Sequence, residues 1–341
     1  MPNLVIARDD ALLVAFVEEG RERGEWSIRT HLREASPLCL AKDPNRPSRL
    51  YCGTFGNGVW RSDDGGESWV WVGQGLPRGR VTAIAVSALE QTPAHGFVYV
   101  GTDPSAVFVS DDGGEMWEER PGLDDLPSST EWSFPPRPKT HHVRWIECDP
   151  HQAGRLYVSI EAGALIRSVN GGRRWEDRKE DGPRDAHRIE THPQAKDRVY
   201  AAAGDGYFES RDGGETWGQW EAGLQDRYCW SLAVDQRDPD TVLVSASPGP
   251  TFAHDPKAAE SRIYRRARGV TWEAVTDGLP RAMGMTAPIL ETDPVEPGVF
   301  YAASNRGVYR SANGGHKWEQ LAIPWGEEDF GRRIRSLLVV P

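Results

Sequence analysis

Cysteine is scarce in this chain: Cys39, Cys52, Cys148 and Cys229 are the only four in 341 residues, and no two stand in Cys-x-x-Cys spacing. That excludes the common zinc and redox motifs, and four cysteines in so long a chain do not make a disulfide framework. Positive charge is in deficit as well. Forty Lys and Arg face 51 Asp and Glu, for a formal net charge of -11. Such a balance excludes a general binder of nucleic acid or of an anionic membrane surface, while leaving room for a local basic pocket. No run of about 18 apolar residues occurs, so no membrane-spanning helix is expected. The opening stretch MPNLVIARDDALLVAFVEEG lacks a basic segment, apolar run and small-residue cleavage site in that order. The expectation drawn from this is a cytoplasmic protein. Helical periodicity is also missing. The nearest candidate, EDFGRRIRSLL (328–338), reads as a turn entering a strand.

What the chain has is glycine (36) and proline (25) in quantity, which suits many short strands joined by tight turns. It also has a repeat. The stretch RSDDGGESW ends at Trp69, and related stretches end at Trp117, Trp175, Trp217, Trp272 and Trp318, at spacings of 48, 58, 42, 55 and 46 residues. That is the length of one four-stranded propeller blade. The flanks repeat too. PLCLAKDP, RLYCGTF, GVWRSD and SWVWVGQ in the first unit correspond to HRIETHP, RVYAAAG, GYFESRD and TWGQWEA in the fourth. β-Branched and aromatic residues alternate between Gly, Pro and Asp, as strands require.

Six complete units run from about Pro37 to Trp325. The ends then fit together: RIRSLLVV resembles a first strand, and NLVIARD, ALLVAFVEEG and EWSIRTHL resemble the second, third and fourth. The expected fold is all-β, one seven-bladed propeller over 1–341. Residues 1–35 and 332–341 jointly form the closing blade and so remove the free sheet edges.

Each box reads as a turn between third and fourth strands. The set is Ser62, Asp64, Gly66 and Trp69; Ser110, Asp112, Gly114 and Trp117; Ser168, Asn170, Gly172 and Trp175; Ser210, Asp212, Gly214 and Trp217; Ser311, Asn313, Gly315 and Trp318. Glycine supplies a backbone shape that other residues resist. The Asp or Asn side chain accepts turn amides, and the tryptophan anchors the turn. Five equivalent copies spread around a ring cannot serve one active site, so their reading is structural. These residues resemble the Asp-box, or BNR, repeat of sialidase-like propellers, which recurs in xyloglucanase-type glycoside hydrolases, the sortilin ectodomain and photosystem II assembly factors. The resemblance covers nearly the whole chain and implies a propeller; it spans both hydrolases and non-catalytic binders. The chain departs from true sialidases in having no Arg-Ile-Pro tripeptide.

The two largest insertions, Leu123–His142 and Ser245–Ser261, fall on the face opposite the boxes. Aligning the innermost strands there places Arg144, His187, Trp230 and Arg335 at one level, with His142, Asp185, Arg188, Tyr228 and Arg333 beside them and Arg80 entering similarly. Arginine forks suit a carboxylate or phosphate, and Trp230, Tyr228 and Trp132 suit stacking on a ring. The plain alternative is a channel filled by long, ion-paired side chains. Deeper in the strands, Glu147, Glu190 and Glu291 share a position that Ala41, Ala85 and Ala233 occupy elsewhere. Glu147 and Glu190, with Asp185, are the candidate catalytic carboxylates, set against a reading as structural partners of Arg144 and Arg188. No cofactor is expected, with a divalent ion near His142 and His187 left open. Two functions stand side by side. One is a sialidase-like glycoside hydrolase for an acidic or polar saccharide or small anion. The other is a non-catalytic scaffold, taking a peptide or protein on the channel-mouth face. A monomer is expected in either case, with no nucleic-acid or membrane partner.

Overall fold

The computed structural model describes residues 2–18, 25–77, 79–269, 271–325 and 332–341. Seven antiparallel sheets follow one another along the chain. Their innermost strands are Pro37–Asp43, Val81–Gln91, Val143–Cys148, Ala186–Thr191, Tyr228–Val234, Ile289–Thr292 and Ile334–Val340. The first six pair outward with the next strand in sequence, and neighbouring inner strands pack side by side around a channel. In the third unit the fourth strand shrinks to a single pair, Arg167 and Glu176, bonded in both directions. The closing blade is built as expected: Ile334–Val340 pairs with Asn3–Arg8 (Leu4 opposite Val339), followed by Leu12–Val17 and Trp26–His31. The turn expected at 328–331 lies outside the described residues. Among the described residues helix is confined to a 3-10 turn, Pro127–Glu131, and a short α-helix, Pro250–His254, one in each insertion.

The core lies between blades. Five of the seven second strands carry a tyrosine at one register position, and Tyr51, Tyr99, Tyr157, Tyr200 and Tyr301 are all essentially fully buried. At the end of the second strand some blades approach too closely for any side chain. A Cβ on Gly53 would sit 2.6 Å from Val81, and one on Gly101 would sit 2.3 Å from Val143.

The boxes behave as turns. Ser62 Oγ donates to Asp64 Oδ1 (2.7 Å) and accepts the Gly66 N–H (2.8 Å), while Asp64 accepts the Ser68 N–H (2.9 Å). The same three bonds recur from Ser110, Ser168, Ser210 and Ser311. Gly65 and Gly66 have φ of 75° and 99°, in the left-handed region that glycine tolerates. An arginine from the preceding blade clasps the next box: Arg61, Arg167 and Arg265 donate to the carbonyls of Gly113, Gly213 and Gly314. Box tryptophans also bind blades together, since Trp117 Nε1 donates to Val72 O at 2.8 Å.

Candidate functional site

Six of the seven innermost strands carry one extra residue at a common level. Pairing skips Leu38, Thr82, Arg144, His187, Trp230 and Arg335. A β-bulge of this kind breaks the alternation of the strand and re-aims the extra side chain. Five of the six, all but His187, line one cavity of about 440 Å3 at the channel mouth. The first insertion closes one side with Phe134, Arg137 and His142. Phe55, Glu161, Asp9 and Arg333 line it as well, beside Ser36 and Pro37. The insertion therefore lies on the face opposite the boxes, as the strand order implied.

The cavity is an arginine cage around an indole. The guanidinium carbons of Arg144 and Arg333 lie 4.5 and 5.5 Å from the ring centre of Trp230. Below it pack His254, at 4.1 Å, and His187, at 4.5 Å. Glu161 is the cage's main counter-charge. It meets His142 Nε2 at 2.9 Å and Arg144 Nε at 3.6 Å. Burial acts to raise its pKa, but the His142 hydrogen bond and the charges of Arg144 and His187 outweigh that and hold it at about 2. Arg333 is pushed the other way, to about 9, by burial and then by the charges of Arg335 and Arg144. Arg335 is pushed down too, chiefly by burial. Among the described residues neither has an ion-pair partner within 4 Å. His254 is pushed down to about 2 by burial and by Arg333, and its Nε2 lies in hydrogen-bond contact with the Tyr228 hydroxyl at 3.1 Å. Among the described residues, three buried polar atoms on the cavity's lining side chains have no hydrogen-bond partner: Asp9 Oδ1, His142 Nδ1 and Arg144 Nε.

The other expected site residues fall elsewhere. Tyr228 and His187 sit behind Trp230, with His187 fully buried and its Nδ1 2.7 Å from Cys229 O. Trp230 is 8% exposed and faced by two guanidiniums, so it offers no open platform for a sugar. Trp132 is buried against Gly163 and bonded to Ser128 Oγ at 3.0 Å, away from the cavity. Arg80 reaches only the rim, 5.4 Å from the Phe55 ring. Asp185 accepts the Ala162 N–H at 2.7 Å and approaches His187 Nε2 at 3.5 Å, holding the Glu161 turn rather than facing the cage.

Arg188 and the glutamates belong to a second cavity, of about 340 Å3, farther along the channel toward the box face. Register confirms that Glu147, Glu190 and Glu291 share a level with Ala41, Ala85 and Ala233. Arg188 Nη2 bonds Glu190 at 2.5 Å and Glu291 at 2.9 Å, and Glu147 accepts from Thr191 N and Oγ1 at 3.1 and 2.6 Å. Burial raises the pKa of Glu147, helped by the charge of Glu190. Burial raises Glu190 as well, against the pull of Arg188. Among the described residues no group of three His, Cys, Asp or Glu is placed to hold a metal ion. His142 and His187 are engaged with different partners.

Sequence reasoning did not place Thr82, Phe55, Phe134, Arg137, His254 or Glu161 at the cage. Thr82 and Glu161 had a signal. Thr82 sits at the level of Arg144. Glu161 lies across the hairpin from His142, one step beyond the Val143–Ile160 pair.

No protein-family model matches the chain, and no curated protein matches it by sequence. Solved structures do match in three dimensions. An ancestral GH74 enzyme aligns with a TM-score of 0.65 at 19% identity, over 85% of this chain and 39% of that one. YCF48 bound to D1 peptide aligns with a TM-score of 0.59 at 15% identity, over 84% of this chain and 82% of that one. The likeness is one of fold. It agrees with the Asp-box propeller read from the repeats, and it spans enzymes and binders alike. This chain covers about two fifths of the GH74 enzyme's length. A third neighbour, at TM-score 0.50, 12% identity, and 94% and 45% coverage, is the extracellular domain of a one-component system from B. thetaiotaomicron. The cytoplasmic location expected from the sequence is corrected by this comparison, since that propeller is an extracellular domain. Among the described residues no helix is long and apolar enough to cross a membrane.

Proposed function

We propose that this propeller is a non-catalytic binding protein that seats an anionic group of a peptide or protein partner in the arginine cage. The observation that carries the reading is the crowding of Arg144, Arg333 and Arg335 around Trp230, with Glu161 and Asp9 as the carboxylates beside them. An anion relieves that repulsion, and the planar guanidinium fork gives it direction. About 440 Å3 is the size of a compact ligand pocket. General acid–base hydrolysis of a glycoside needs two carboxyls across one bond, one of them protonated. In the cage Glu161 is locked as a carboxylate. One propeller of the same fold, YCF48, is known with the D1 peptide bound.

The test is a titration with a fluorescein-labelled nonapeptide carrying one Glu among Gly and Ser, against the same peptide with Gln. The Glu peptide binds more tightly, and its affinity falls at least tenfold in Arg144→Gln and in 0.5 M salt. Equal affinity for both peptides would overturn the reading.

Glycoside hydrolysis is the second reading. One observation favours it: Glu147 and Glu190, with raised pKa values, line their own cavity beside Trp145. A screen of glycosides in which wild type turns over and Glu190→Gln does not, while both stay folded, would replace the first reading.

A further inference from the structure

The rim of the arginine mouth is apolar on two opposite sides. On the fifth unit, His254 packs against Trp230, so the helix Pro250–His254 borders the cage. Its backbone is tied to the segments around it. Ala287 N–H donates to Ala253 O (2.9 Å), Glu260 N–H to Phe252 O (2.9 Å), and Gly284 N–H to Ala259 O (2.6 Å), while Glu260 bridges Met283. From this fixed ledge Phe252 stands 40% exposed and Met283 80% exposed. Across the ring, Phe55 of the first unit lines the cavity and is 39% exposed, with Arg80 and Arg137 beside its ring. A single exposed apolar side chain is ordinary. Here a phenylalanine and a methionine, types enriched at protein interfaces, share one bonded ledge next to a charged pocket.

We infer that the occupant of the mouth is an extended segment of a partner protein in which an acidic side chain is flanked by apolar ones. The acid enters the cage of Arg144, Arg333 and Arg335, and an apolar neighbour covers the Phe252–Met283 ledge. This rests on the binding reading above and deepens it. A free saccharide or small acid uses the cage alone. A peptide with apolar neighbours gains from both surfaces at once, in the pattern of an apolar anchor beside a charged contact.

Two fluorescein-labelled nonapeptides test it, each with one central Glu. One has Leu and Phe flanking the Glu at two residues' distance, and the other has Ser at those positions. The proteins are wild type, Arg144→Gln and the double variant Phe252→Ser/Met283→Ser, whose changed side chains are solvent-facing. The flanked peptide is expected to bind wild type at least tenfold more tightly than the Ser peptide. The double variant erases that gain and leaves Ser-peptide binding unchanged. If the double variant binds the flanked peptide as wild type does, the ledge inference fails, while loss of both peptides in Arg144→Gln still upholds the cage. If Arg144→Gln binds both peptides as wild type does, or if wild type binds neither, the binding reading falls and the ledge with it. Self-association of wild type that vanishes in the double variant would assign the ledge to a second copy and overturn the inference.

Discussion

Glu161 and Glu147 are both glutamates buried near arginines, and their acidities move in opposite directions. Glu161 has a hydrogen-bonded His142 and the Arg144 charge, so its folded pKa of about 2 lies below the ordinary 4.5. The stability it confers is therefore fully present above about pH 4.5 and drains away as pH falls toward 2. Glu161→Gln leaves Arg144 and His142 without their carboxylate. It is expected to cost on the order of 3 kcal/mol at neutral pH, as breaking a buried pair does, and to flatten the acid limb in denaturant titrations. Glu147 has Thr191 for company and a like charge in Glu190, and its pKa is raised. Its contribution is complete below the ordinary carboxylate range and is lost as pH rises through the folded value. Glu147→Gln keeps an oxygen for Thr191 and is expected to unfold at higher denaturant than wild type at pH 8, with the gap closing at pH 5. Both outcomes hang on partners from other strands, and neither glutamate's sequence neighbours announce the difference. Arg188 and Glu190 are the exception: two residues apart on one strand, they share a face, and their pairing was readable.

The Asp box and the inner-strand bulge are the two repeated elements, and they were not equally legible. Every bond of the box runs within seven residues, so its residue types state its shape. Ser168→Ala strands the buried Gly172 N–H and should cost about 1–3 kcal/mol. Asp212→Asn keeps the Ser210 Oγ and Thr216 N–H bonds, as Asn170 and Asn313 show in their own boxes, but loses the charge that strengthens the Thr216 Oγ1 bond, so it should cost less than Asp212→Ala at pH 7. Asp212→Ala loses those bonds and should cost about 1 kcal/mol. Denaturant midpoints of the three variants decide the order. The bulge, by contrast, is a mismatch between two strands. It is invisible in either strand alone, yet it turns Thr82, Arg144 and Arg335 into one cage while Arg188, one residue past the bulge at His187, drops to the other cavity.

At the scale of the molecule, the ring depends on its two ends meeting. Ile334–Val340 supplies the innermost strand of the closing blade and packs beside Pro37–Asp43 and Ile289–Thr292. Deleting 334–341 bares the edge of Asn3–Arg8 and removes Arg335 from the cage. The truncated chain is expected to aggregate and to lose the single cooperative transition of the full chain. Size-exclusion profiles and denaturant curves of both chains check it. A monomeric truncation with one sharp transition would mean that six blades suffice. The correction of location belongs to this scale as well: the expectation was drawn from one short stretch, whereas one propeller of the same fold is an extracellular domain.

The repeats, the box turns, the four strands of each unit and the closure by both termini were fixed by the sequence alone. Alternation of period two, tight turns and repeated spacing are short-range properties of the chain, and each was stated six times over. The meeting of Arg144 and Arg333 over Trp230 with Arg335 in the same cavity, the burial of Trp132, and the separation of Glu147 and Glu190 from that cage were decided only in three dimensions. Those contacts join strands far apart in sequence. One extra residue in a strand reverses which way a side chain points, and the charge state of a carboxyl follows from what surrounds it once buried.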